Sequence, residues 1–221
     1  GIDAEIYQSE YAQYWQDAMF PDAQLLDFKP DIVFVHTTSR NISAWPLISD
    51  SPEAIDKMID AQMLHFTQMW DNIARVFGCP IVQNNFELPF YRLLGNSDAS
   101  NIHGRTNFTT RLNVKFYEYA QSHNNFYIHD IMYLSGAYGL TKWSDPMSWY
   151  LYKYAMTPFA IPEFSFSLAC IIKSIYGLNK KALVLDLDNT LWGGVVGDDG
   201  ADGLVIGPET PQGQAYSEFQ E

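Results

Sequence analysis

An α/β architecture with a largely parallel sheet is what this 221-residue sequence predicts. Three observations carry the prediction. Short apolar runs alternate with amphipathic helical runs. The longest helical run carries start and stop residues at its ends. A late apolar run stops abruptly on two carboxylates, the place where parallel-sheet proteins bind ligands.

The elements follow in chain order. Ile32–Val35 is a short apolar strand after Pro30-Asp31, ending in His36-Thr37-Thr38-Ser39-Arg40-Asn41. Ser51-Pro52 is a helix start, a capping side chain followed by proline in the first turn. Ile55, Ile59, Met63, Phe66, Trp70, Ile73 and Phe77 then recur at spacings of three and four, one long helix closed by Gly78. Pro80–Gln83 reads as a second strand, leading into the polar stretch Asn84–Gly104. Phe108, Leu112, Phe116 and Tyr119 mark a second helix. Phe126–Ile128 is a third strand, and Phe164, Leu168, Ile172 and Ile175 mark a third helix between Pro162 and Gly177. Ala182–Leu185 reads as a buried parallel strand. A boundary is expected in the short basic segment Gly177–Lys181, dividing residues 1–178 from residues 179–221.

Composition narrows the function. A net charge of −13 argues against nucleic acid, because phosphate-backbone binding needs clustered Lys and Arg. It leaves room for a phosphorylated small molecule, since a metal ion and backbone N–H groups supply positive charge locally. Cys79 and Cys170, the only cysteines, lie far apart and read as reduced core thiols, with no disulfide framework or zinc spacing. No leader-like segment opens the sequence. The longest apolar run, Phe159–Tyr176, is broken by Pro162, Glu163 and Lys173, so no membrane contact is expected. The chain reads as soluble and cytoplasmic.

The strongest chemical signal is Lys181–Trp192, K-A-L-V-L-D-L-D-N-T-L-W. A carboxylate at a strand tip can attack phosphorus and form an aspartyl-phosphate. A second carboxylate two residues on can protonate the leaving oxygen and then activate water. Backbone N–H groups of the turn can hold phosphoryl oxygens, and Mg²⁺ suits an all-oxygen site. On this reading Asp186 is the nucleophile and a metal ligand. Asp188 is general acid/base and a metal ligand through its backbone carbonyl. Leu187, Asn189 and Thr190 form the substrate-binding turn, with Thr190 bracing it.

Asp186-Leu187-Asp188-Asn189-Thr190-Leu191-Trp192 resembles the first motif of the haloacid dehalogenase (HAD) superfamily of phosphotransferases. Trp192–Gly200 with Gly203–Gly207 narrows the resemblance to the FkbH-like branch, whose HAD domain follows a domain similar to SGNH hydrolases. The match is tight over about Lys180–Gly213 and looser upstream, in residues such as Trp149-Tyr150-Leu151 and Pro158. The resemblance implies an SGNH/flavodoxin-like parallel-sheet domain lacking its first block, then the beginning of a Rossmann-like HAD domain with Trp192–Ile206 as a flap. It implies Mg²⁺ and a phosphorylated metabolite or sugar as substrate. Its alternatives are glyceryl or acyl transfer to an acyl carrier protein, and a non-catalytic SGNH-like domain that binds a partner. The superfamily's later Ser/Thr, Lys and acidic motifs have no counterpart after Thr190, where no lysine occurs. These residues alone are therefore expected to bind metal weakly and turn over little.

The region before Gly177 holds a rival constellation. By the same resemblance, Asn41 falls roughly where SGNH hydrolases carry an oxyanion Asn. Asp145-Pro-Met-Ser148 falls where they carry Asp-x-x-His, with Ser148 in place of the base. Esterase chemistry is therefore disfavoured. His65 reads as a packed or surface helix residue rather than a ligand. His36 and His129 follow strands and, with Asn84, Asn85 and Glu87, are placed to line the sheet's carboxyl edge. Satisfied loop residues are the plainer reading. Aromatic-rich Trp143–Tyr154 reads as a packing surface.

Overall fold

The computed structural model describes residues 3–221, which divide into two compact units meeting at Gly177 and Leu178. In the first, strands β1 (Val33–Val35), β2 (Ile81–Asn84) and β3 (Phe126–His129) form a parallel sheet in the order β1-β2-β3. Val33 pairs with Ile81 and Gln83 with Ile128, so the three carboxyl ends lie side by side. The predicted α/β class and parallel sheet are what the chain adopts.

Before the sheet come two short helices, α1 (Tyr14–Met19) and α2 (Ala23–Phe28). Helix α3 (Pro52–Phe77) starts where the sequence places it, with the Ser51 side chain accepting from Ala54 N–H and proline in the first turn. It ends at Gly78, whose φ of +63° is the left-handed conformation that glycine adopts without a Cβ penalty. Helix α4 (Arg105–Ser122) returns across the same face. Ile55, Ile59, Phe66, Trp70 and Ile73 of α3 interlock there with Phe108, Leu112 and Phe116 of α4. Burying one such large side chain is worth roughly 1.5–3 kcal/mol.

Strand periodicity assigns the second face. Val33 and Val35 point into that first cluster, while Phe34 between them points into another, built from Ile131, Leu134, Trp143, Met156, Ala160 and Phe164. These come from α5 (Ile131–Tyr138), α6 (Leu140–Trp143) and the loops and helix that follow. Helix α7 (Pro146–Tyr152) buries none of its residues, so of the aromatic-rich stretch only Trp143 is core. Helix α8 (Ile161–Ile175) has Phe164 as its one buried residue. The unit is thus a sheet between two helical layers, the second much thinner.

Two expectations about α8 are corrected. Pro162 lies in its first turn, where a missing N–H costs nothing, so proline does not break the run. Pro158–Ile175 is therefore long and apolar enough to cross a membrane, with mean hydropathy 1.3 over 18 residues, and is 6% buried. Cys170 is exposed rather than a core thiol, because α8 buries only Phe164; Cys79 is buried as expected.

The second unit, Leu178–Glu221, contains α9 (Val196–Asp199) and α10 (Pro211–Gln220). Its predicted first strand is not formed. Ala182–Leu185 carries no strand pairing, and Leu183 and Val184 are 79% and 92% exposed. A strand exists only by exchanging hydrogen bonds with a neighbour, and no described strand lies beside this segment. The chain then turns sharply and closes a hairpin, with Gly193 N–H donating to Val205 O at 3.0 Å and Val205 N–H donating back at 2.8 Å.

Candidate functional site

The acidic loop of the second unit is built by local bonds. Thr190 and Leu191 N–H both donate to Leu187 O, at 3.2 and 2.9 Å, winding residues 187–191 into a single turn. Asn189 takes a φ of +55°, a left-handed conformation that Asn tolerates better than most side chains. Its Oδ1 accepts from Gly194 N–H at 3.0 Å, while its own N–H donates to Gly194 O at 3.3 Å. Gly194 is itself at φ +103°, so that end of the loop needs glycine.

Within this frame Asp186 is exposed, its Oδ1 accepting from Leu187 N–H at 2.8 Å. Asp188 is half-buried and held from two sides. The Trp192 indole N–H donates to its Oδ1 at 3.1 Å, and Val196 N–H donates to the same oxygen at 3.2 Å. Leu187 is exposed. Thr190 supports the turn through its backbone N–H, and the residue lines an open pocket of about 380 Å³ with Gln212, Ala215, Tyr216 and Phe219. Asp186, Leu187, Asp188, Asn189 and Thr190 thus share one turn. The part of Trp192 was missed from the sequence, although its i,i+4 spacing from Asp188 was the signal that could have found it.

Two carboxylates and loop carbonyls are hard oxygen donors, the kind Mg²⁺ takes through one or two carboxylates while keeping several waters. Among the described residues no group of three or more acidic, His or Cys side chains gathers to hold a metal. Asp186 and Asp188 therefore fit Mg²⁺ in donor type.

The sheet edge of the first unit is a second polar cluster. Asn84 accepts from Thr37 N–H at 2.8 Å and donates to Thr37 O. Asn85 donates to Asp130 and to the Tyr117 hydroxyl. The Ser39 hydroxyl donates to Glu87 Oε1 at 2.9 Å. Burial pushes the Glu87 carboxyl up, against the pull of its bonds to Ser39 and of nearby Arg40.

His36 and His129 share one aromatic pocket, each ring edge-on to Phe164 at centroid distances of 5.2 and 4.6 Å. Burial brings both down to about 4, with His129 adding to the effect on His36 and Asp130 opposing it at His129. Neither His129 ring nitrogen has a hydrogen-bond partner, nor has His36 Nε2. The sequence thus located this cluster, but the histidines are not the satisfied loop residues it predicted.

The positions read as esterase remnants are occupied by capping. Asn41 Oδ1 accepts from Thr38 N–H, and Asp145 accepts from Met147 and Ser148 N–H and from the Ser148 hydroxyl. His65 stacks on Trp15 at 5.4 Å, a packed residue as expected.

Fold and loop together define an α/β protein with a three-stranded parallel sheet in one unit and a tight acidic turn in the next. Residues 1–173 match the family model of the FkbH N-terminal domain, and the chain belongs to that family. A comparison with curated proteins found no match. Among solved structures the chain is similar to the crystal structure of the N-terminal part of the protein BF1531 from Bacteroides fragilis, described as containing a phosphatase domain complexed with Mg. The two are 27% identical with a TM-score of 0.81, and the match covers 98% of this chain but 56% of that one.

Proposed function

We propose that this chain forms part of a Mg²⁺-dependent HAD-type phosphohydrolase or phosphotransferase acting on a phosphorylated small metabolite or sugar. The observation that carries the reading is the turn 186–190, which presents one exposed carboxylate and, two residues on, a second one oriented by two N–H donors. The similarity to a structure described as containing a phosphatase domain with Mg supports it.

Asp186 Oδ attacks phosphorus, the P–O bond to the leaving group breaks, and the departing oxygen takes a proton from Asp188. Asp188 then removes a proton from water, which attacks the aspartyl-phosphate and releases phosphate and free Asp186. The Asp186 carboxylate and the Asp188 backbone carbonyl would hold Mg²⁺, which would supply charge neutralisation between the anionic nucleophile and the anionic substrate. To serve phosphoryl oxygens, the N–H groups of Leu187, Asn189 and Thr190 would exchange their present bonds to Asp186, Gly194 and Leu187.

The test is hydrolysis of a phosphate-ester panel by the full-length protein with and without Mg²⁺, beside Asp186→Asn. We expect turnover that needs the metal and falls by at least about 1,000-fold in the variant, as loss of a covalent nucleophile requires. Turnover that survives in Asp186→Asn sinks the proposal.

A further inference from the structure

We infer that Trp192 is a positioning residue for the acid/base carboxylate, selecting which oxygen of Asp188 carries the proton. The inference rests on the phosphatase reading above and goes beyond it to a residue with no contact to substrate.

The indole N–H is a donor only: it can neither accept nor exchange roles as the proton moves. It meets Asp188 because the turn bonded from Leu191 N–H to Leu187 O at 2.9 Å brings positions four apart onto one side. Trp192 is itself held. Its neighbour Gly193 is buried and bridged to Val205, and a Cβ there would press within 3.1 Å of both Tyr216 and Val205. The Trp192 backbone is therefore anchored at the foot of the hairpin, and the indole N–H reaches Asp188 Oδ1 at 3.1 Å.

Val196 N–H, from the start of α9, ends on the same oxygen at 3.2 Å. With two fixed donors filling the acceptor sites of Oδ1, a proton added there would displace one of them. A proton added to Oδ2 leaves both bonds intact. Oδ2 is thus the oxygen that delivers the proton to the leaving group and takes one from water, while Oδ1 serves as the anchor. A general acid contributes to rate only when its proton points at the departing oxygen. Trp192 holds the carboxyl plane in that orientation before substrate arrives.

Trp192→Phe keeps the ring in the hairpin and removes only the N–H. In the full-length protein we expect kcat to fall about 10- to 100-fold, a part of the ~10²–10⁴ that acid/base groups supply, with KM for the phosphate ester within about two-fold. A purely structural defect would move KM and thermal midpoint together with kcat. A second readout needs no turnover. The Trp192 indole ¹H–¹⁵N resonance, assigned by its loss in Trp192→Phe, should shift clearly in Asp188→Ala, which removes its acceptor. Full kcat in Trp192→Phe while Asp186→Asn is inactive overturns this inference alone, as does an indole resonance indifferent to Asp188→Ala. Absence of any Mg²⁺-dependent hydrolysis by the wild type overturns the phosphatase reading and this role with it.

Discussion

Acidification from pH 8 to pH 5 should weaken the first unit through His36 and His129, and the structure sets the size of the effect. Both imidazoles titrate near 6.5 when unfolded and at about 4 in the fold, where burial excludes the charged form. The sign follows from proton uptake. Below pH 6.5 the unfolded chain binds protons that the folded chain refuses until about pH 4, so stability is lost as pH falls through that window. At pH 5 this amounts to about 2 kcal/mol for each imidazole, or about 4 kcal/mol for the pair. Glu87 acts with the opposite sign, because its raised carboxyl holds a proton more firmly in the folded state. A difference between proteins removes that contribution. Urea unfolding followed by circular dichroism at pH 8 and pH 5 is compared between wild type and His36→Phe/His129→Phe. The wild type should lose about 4 kcal/mol more than the double variant. A difference below about 1 kcal/mol would refute the reasoning, since it would mean the rings are hydrated in the folded state.

Two further substitutions probe the scaffold. Gly104→Ala should abolish folding of the first unit, judged by its circular dichroism, because a Cβ there would lie 1.9 Å from the backbone oxygen of Asp98. Phe66→Ala should cost about 3–5 kcal/mol in chemical denaturation, since the ring is fully buried among Trp70, Phe86 and Phe116 and leaves a cavity; a loss under about 1 kcal/mol would contradict the packing described.

Helix α3 was legible almost to the residue, because its limits are written locally in Ser51-Pro52 and Gly78 and its face in the spacing from Ile55 to Ile73. Strands β2 and β3 were legible within a residue, since apolar runs bounded by turn residues have few alternatives. Helix α8 was legible as a helix but not in its burial. Its apolar spacing matches that of α3, yet only Phe164 finds partners closing over it. The acidic turn was legible as a motif, and its internal bonding was not. The indole of Trp192 reaches Asp188 only once the turn 187–191 and the Gly193–Val205 bridge are formed.

By itself, then, the sequence determined the α/β class, the limits of α3, the apolar face of α4 and the clustering of Asp186, Asp188 and Thr190 in one turn. All of these rest on interactions within a few residues of chain. Tertiary structure alone decided that Ala182–Leu185 stays unpaired, that Cys170 faces outward, and that His36 and His129 meet across Phe164 with His36 Nε2 and both His129 ring nitrogens unpartnered. Those outcomes depend on what lies opposite each side chain, and a ladder partner or a covering surface comes from segments distant in sequence.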